Sequence, residues 1–469
     1  MIARFFALVR RVSVRQLIRN PRAELGRILG WFSRRLERVS TVISHGQPEI
    51  PAWLQEETIA LASVEPGLLS DHGAPDHYRH YGIPFITKPG EIYRQLLSEV
   101  GEHPYTHVMI LPWLVRGGAD RGALYHLEAW AECMPAGDIL VLLTEGAESA
   151  WAHRVPEGVK VVEFGKIVGS MGMEGQVQLM TRLLVQLQPE VVHNINSRTA
   201  WESIRMFGVA LRQRSRLYVS LFCDDHDENM VPVGYARRYL RSCYSNLSQV
   251  FCDNSVYPDR WSREMGVPRA IFTVMKFPYD REVVEKVDSF DLPSSPRILW
   301  AGRFDRQKRP DVLLAIAEAM PDVLFDVHGV SVLGPQHPAM AQLGALRNVT
   351  LHGPFVRFEE IVRSDHAAYL FTSSWEGLPT ILLDAAAAGL PVVAPAVGGV
   401  VDLIERDWLV DEPDDVRAHV QRLRSLISEP ELRRHRRADQ YRALSSGRSW
   451  VDFRTAICSI EGYARNAGA

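Results

Sequence analysis

Ser373-Ser374-Trp375-Glu376-Gly377-Leu378-Pro379-Thr380 continues as Ile381-Leu382-Leu383-Asp384, then Ala385–Ala388, Gly389, Leu390 and Pro391. An apolar strand, Tyr369 to Phe371, leads into this stretch, and a second, Pro391 to Ala394, leaves it. The spacing predicts strand, tight turn, helix, strand. Gly377 supplies the freedom for the turn. Pro379 suits a first helical position, and Gly389 suits the end of a helix. The N–H groups of Leu378, Thr380 and Ile381 then point out of the helix start, where anions are held. Glu376 and Asp384 flank that position, and a carboxylate accepts two hydrogen bonds from a vicinal diol. A phosphate between a ribose and a sugar fits such a site.

A second constellation lies upstream. Ala301-Gly302-Arg303-Phe304-Asp305-Arg306-Gln307-Lys308-Arg309-Pro310 directly follows the apolar strand Arg297–Ala301, so it sits at the carboxyl end of the same sheet. Arg303 and Lys308 offer a planar fork and a point charge, a pairing suited to a diphosphate. An ordinary solvated charged turn is the plainer reading of the same residues.

Working outward, a strand–helix rhythm begins at Thr106. Strands are expected at 107–111, 139–143, 159–164, 191–193, 217–222 and 249–252. The first runs into Pro112–Arg121, which holds Gly117 and Gly118, and then a helix to Cys133. Lys276–Ser295 reads as a linker. A second alternation starts at Arg297, with strands near 323–328, 348–352 and 358–362, and a last helix covers Trp450–Arg465. This pattern implies parallel sheets covered on both faces, with ligands at the carboxyl ends of the strands. The expected divisions are 1–40, basic amphipathic helices; 41–103, a loop-rich accessory segment; 104–278 and 279–447, two Rossmann-like domains; and 448–469, a helix crossing back to the first.

Composition agrees with a globular chain of two or three domains, at roughly 100–200 residues each. Apolar residues make up 46% and charged residues 23% of the 469. A net charge of −3 gives no general attraction to nucleic acid. The first 40 residues differ: ten arginines stand against two acids, Glu24 and Glu37. Large apolar residues share one face of each predicted helix there. That suits an anionic membrane surface; docking on the body of the protein or on a partner is equally compatible. No apolar run reaches the ~18–20 residues that span a bilayer. Five widely spaced cysteines without a CxxC pair suggest a reduced, cytoplasmic setting, and an engaged basic arm would put the chain on the inner face of a membrane. The histidines of Asp71–Tyr81 lack a regular ligand spacing.

Gly302-Arg303 with Lys308, followed by Glu376 and Asp384 in an E-x7-acid arrangement, resembles the retaining glycosyltransferases of the GT-B fold, family 4 type. The resemblance is strong over 297–404, weaker over 106–278 and absent from 1–100. It implies that Arg303 and Lys308 hold a donor diphosphate. It further implies that Asp384 binds the nucleotide ribose, where many members have Glu, and that Glu376 serves the transferred sugar. Gly377, Leu378, Pro379 and Thr380 then form the phosphate turn, with Gly117 and Gly118 approaching from across the cleft. Members often carry a first-domain His at a strand end; Cys223 stands there in this chain. His226 or Asp224 is left to fill that catalytic role, and a satisfied loop histidine is the plainer reading of His226. Asp225-His226-Asp227 spells a D-x-D metal signature, but Arg303 and Lys308 already supply the charge, so neither metal nor other cofactor is expected.

The resulting expectation is a metal-independent hexosyltransferase. It would move a sugar from a nucleoside diphosphate to a saccharide or lipid-linked saccharide, in bacterial surface polysaccharide or lipopolysaccharide assembly. A non-catalytic module binding a glycan or a partner transferase is the rival. A phosphorylase or an epimerase on the same fold has less support.

Overall fold

The computed structural model describes residues 52–65, 87–279, 296–331 and 337–464. The predicted basic helices of 1–40, the histidine segment 71–81 and most of the predicted linker lie outside these residues. The chain divides into two compact units, Met1–Glu91 and Ile92–Ala469. The first is described by the helix Ala52–Val64. The second contains two parallel sheets.

The first sheet is built from β1 (His107–Leu111), β2 (Ile139–Leu143), β3 (Lys160–Val162), β4 (Val191–Ile195) and β5 (Arg216–Ser220). A small antiparallel hairpin, β6 (Asp225–His226) and β7 (Pro232–Val233), interrupts before β8 (Gln249–Cys252) and β9 (Phe272–Val274). The sheet order is β3-β2-β1-β4-β5-β8-β9. Its central strands are buried on both faces, which is why they read as unbroken apolar runs. The two-residue period still sorts them: Met109 and Leu111 pack into one cluster, Val108 and Ile110 into the other.

The second sheet has β10 (Arg297–Ala301), β11 (Leu324–His328), β12 (Val349–Gly353), β13 (His366–Leu370) and β14 (Val392–Val393), in the order β12-β11-β10-β13-β14. The order reverses beside β1 in one sheet and beside β10 in the other. Each reversal opens a crevice at the carboxyl ends of the strands. The run 358–362, expected as a strand, is a short turn at Phe358–Glu360 followed by loop. The strand is β13, which begins at His366.

Five helices matter below: α1 (Gly118–Cys133), α2 (Val256–Met265), α3 (Pro310–Ala319), α4 (Thr380–Ala387) and α5 (Trp450–Ser459). The helix α5 packs against α1. Trp450 Nε1 donates to Glu132 at 2.9 Å, Arg454 pairs with the same carboxylate at 2.8 Å, and Phe453 packs its ring near Tyr125 and Phe277. Beyond α5, the Tyr463 hydroxyl sits between His126 Nδ1 and His193 Nδ1, 2.7 Å from each. The start of the predicted linker is core instead: Phe277 is buried because its ring fills the space above Gly122. Among the described residues, no helix is long and apolar enough to cross a membrane.

Candidate active site

Two loops at the β10/β13 reversal carry the predicted donor groups, and hydrogen bonds stitch them together. Ser374 N donates to Gln307 O at 2.9 Å, Gln307 Nε2 to Trp375 O at 2.8 Å, and Thr372 Oγ1 to Lys308 O at 2.6 Å. Sequence neighbours of Arg303 are thereby fixed against sequence neighbours of Glu376. Lys308 Nζ and the Glu376 carboxylate form an ion pair, both largely buried. Arg303 is more open; its Nε lies 3.1 Å from Asp305 and its Nη2 donates to Gln307 Oε1 at 3.1 Å.

The turn after Glu376 differs in two respects from the sequence expectation. Gly377 does not have a positive φ. It is needed for close approach: a Cβ there would lie 2.8 Å from the Asp253 carboxylate and 3.0 Å from Phe222 Cβ. Pro379 stands at the cap rather than inside the helix, with φ −68°, and α4 starts at Thr380. Gly389, at φ 73°, ends the helix as expected. The carboxylate of Asp384, on the second turn of α4, is largely buried.

The first sheet brings its own edge against this turn. Gly118 lies against the Thr380 side chain, 3.7 Å from the Cβ position to Oγ1. Arg121, in the first turn of α1, donates from both terminal nitrogens to Asp384, at 2.7 and 2.9 Å. Asp253, just after β8, accepts the Leu378 N–H at 3.0 Å and an Asn254 side-chain N–H at 2.7 Å. Burial pushes the Asp253 carboxyl up to about 7, and the nearby Glu376 charge adds to the rise. Ser255 completes this edge, donating from N and Oγ to Asp402 at 2.7 and 2.5 Å.

Sequence reasoning assigned no role to Arg121 or Asp253. Asp253 was legible as a polar residue directly after a parallel strand, where ligands gather, whereas Arg121 lies in the first turn of α1, ten residues past the end of β1.

The two first-domain candidates occupy different surroundings. Asp224 is fully buried; Arg237 grips its carboxylate at 3.0 and 2.6 Å, and Trp261 of α2 donates to it at 2.8 Å. His226 lies on the β6–β7 hairpin at the cleft, its ring 4.8 Å from that of Trp375. Arg306 binds the His226 and Asp227 carbonyl oxygens, the latter at 2.6 Å. Burial pulls the His226 imidazole below its usual value, and the Arg260 and Arg306 charges add to this against the opposing pull of Asp224. Its Nδ1 is buried without a hydrogen-bond partner. Cys223 is half-buried; desolvation first, then the charges of Glu376 and Asp253, hold its thiol well above its usual value.

Of the D-x-D residues, Asp227 turns the hairpin, accepting the Asn229 and Val231 N–H groups at 2.9 Å each. Among the described residues, no group of three or more His, Cys, Asp or Glu side chains is placed to hold a metal ion.

This geometry invites comparison with known proteins. Residues 295–429 match the family model of glycosyl transferases group 1. The second sheet and its connections are thus similar to a group 1 glycosyl transferase domain. D-inositol 3-phosphate glycosyltransferase of Mycolicibacterium gilvum is 35% identical over 146 residues, which are 29% of this chain and 31% of that protein. Sulfoquinovosyl transferase SQD2 of Arabidopsis thaliana is 28% identical over 152 residues, 30% of this chain and 28% of that one. The matching segment thus spans about a third of the length of these curated relatives. Among solved structures, HepE of Anabaena in complex with UDP and glucose superimposes with a TM-score of 0.58 at 18% identity, covering 75% of this chain and 98% of that one. The shared architecture, two Rossmann-like domains facing a cleft, is the GT-B fold.

Proposed function

We propose that the protein is a retaining, metal-independent glycosyltransferase of the family 4 type, acting on a nucleoside diphosphate sugar. One observation carries this reading: Arg303, Lys308, Glu376, the Leu378 N–H and Asp384 converge on one sheet edge, inside the segment that matches group 1 glycosyl transferases. Arg303 and Lys308 hold the diphosphate, aided by the Gly377–Thr380 turn and the positive end of α4. Asp384 receives the ribose, and Glu376 orients the sugar. Gly117 and Gly118 let the first domain approach without side chains.

In the reaction, the bond between the sugar's anomeric carbon and the diphosphate oxygen breaks, and a bond to the acceptor oxygen forms on the same face. The acceptor's proton passes to the departing phosphate. Charge that develops on that phosphate is met by cations and N–H groups already in place. His226, at the cleft beside Trp375, faces the acceptor side. Asp224 supports that wall through Arg237 and Trp261.

The acceptor in this reading is a saccharide or lipid-linked saccharide at the inner face of a membrane, in bacterial surface polysaccharide assembly. The arginine surplus of residues 1–40 supports it. Removing 1–40 is then expected to abolish pelleting with anionic vesicles while sugar transfer to a soluble acceptor persists; unchanged pelleting rejects the membrane role. The catalytic reading is tested with a panel of nucleotide sugars. Release of nucleoside diphosphate from one of them supports it, and binding without turnover supports the non-catalytic alternative.

A further inference from the structure

The groups assigned above to the donor already have partners in the free protein. The Leu378 N–H is donated to Asp253, and Asp384 is held by both nitrogens of the Arg121 fork. Both partners come from the first domain. A carboxylate oxygen on an anion-binding N–H makes the hydrogen bond that a phosphate oxygen would make. A guanidinium on a carboxylate donates two hydrogen bonds, as a pair of ribose hydroxyls would.

The fit around these contacts is close. Gly377 leaves no room for a side chain beside Asp253, and a Cβ at Gly399 would come within 2.6 Å of Asn254 Cβ. The Ser255–Asp402 bonds lock the same seam.

We propose that Asp253 and Arg121 form a latch across the cleft that fills the phosphate and ribose positions of the free protein, so that a nucleotide binds only by displacing both. This rests on the donor-site reading above. The latch lowers apparent affinity by the fraction of molecules in which it is open. Asp253 adds a pH dependence. It faces Glu376 from the turn before α4, Cys223 from beyond β5, and Arg448 from the loop before α5. With its carboxyl raised to about 7, it is mostly ionised at pH 8, where it grips the N–H and repels a diphosphate. Near pH 6 it is mostly protonated and competes less.

The test is calorimetric titration of the full chain with uridine, adenosine and guanosine diphosphates at pH 6, 7 and 8. Asp253→Asn is expected to bind the preferred nucleotide about tenfold more tightly than wild type at pH 8, with the gain shrinking toward pH 6. Arg121→Gln is expected to gain affinity by an amount that does not vary over this range, since arginine stays charged throughout. Thermal melting confirms that each variant is folded, and either variant alone carries the test. Wild-type affinity or weaker in the folded variants overturns the latch while leaving the donor site standing. Failure of all three proteins to bind any of the nucleotides overturns the donor-site reading and the latch with it.

Discussion

The two edges that meet at the cleft carry their chemistry differently. On the second sheet, the proposed donor groups lie within two short loops and one helix start, between Arg303 and Asp384. Each loop directly follows a strand, and hydrogen bonds from Ser374 N and from the Gln307 and Thr372 side chains to backbone carbonyls hold the loops together. On the first sheet, Arg121, His226 and Asp253 come from three separate connections. The most buried acid there, Asp224, spends its carboxylate on Arg237 and Trp261. A linear motif reports a site whose parts are local in sequence. It is silent about a wall assembled from distant turns.

The comparison breaks first at the second sheet. Arg303→Ala is expected to lower kcat/KM for sugar transfer by about 10²–10³-fold, the usual cost of removing one preorganised group that meets developing charge. Glu376→Ala should cost about 10²-fold through misplacement of the sugar. Steady-state kinetics with the preferred donor checks both.

Asp224→Ala sharpens the other side. Removing this carboxylate leaves the buried Trp261 N–H without its acceptor, while Arg237 keeps Glu264 at 2.6 Å, so a loss of about 1–3 kcal/mol of stability is expected in urea unfolding. Unchanged stability with lost turnover would instead place Asp224 in the chemistry. Tyr463→Phe removes the hydroxyl shared by His126 and His193 and should cost roughly 1–3 kcal/mol.

The same buried pair predicts an acid limit. Burial lowers the His126 imidazole to about 3 and holds His193 well below its usual value, with the neighbouring His126 adding to the latter. Both groups stay neutral in the folded chain and take up protons near pH 6.5 when unfolded. Their contribution to stability is therefore present above about pH 6.5 and is lost as pH falls toward 3. Melting temperature followed from pH 7 to pH 4 should show this decline, and a double His126→Phe, His193→Phe variant should flatten it. The smallest effect is expected at His226. Because its ring lies 4.8 Å from that of Trp375, tilted by 51°, His226→Ala should lower transfer by about tenfold, toward the low end for a single positioned group.

Much of the fold was legible because buried parallel strands announce themselves as apolar runs: 139–143 and 249–252 match β2 and β8. The β6–β7 hairpin was not, since two-residue strands carry no periodicity, and Phe358–Glu360 turned where a strand was expected because the segment lacks an unbroken apolar run. In the candidate site, the convergence of Lys308 with Glu376 followed from both loops leaving one sheet edge. The pairing of Asp384 with Arg121 did not, because it depends on how closely the two domains approach, and that is set by glycine contacts and the returning α5 rather than by either motif.

The central claim is that the second sheet's edge binds and activates a nucleotide sugar. It is tested most directly by incubating wild type and Arg303→Ala with a nucleotide-sugar panel and measuring released nucleoside diphosphate. The account predicts release from at least one sugar by wild type, and a drop of about 10²–10³-fold in the variant. Equal release by both proteins, or none from any donor, contradicts it.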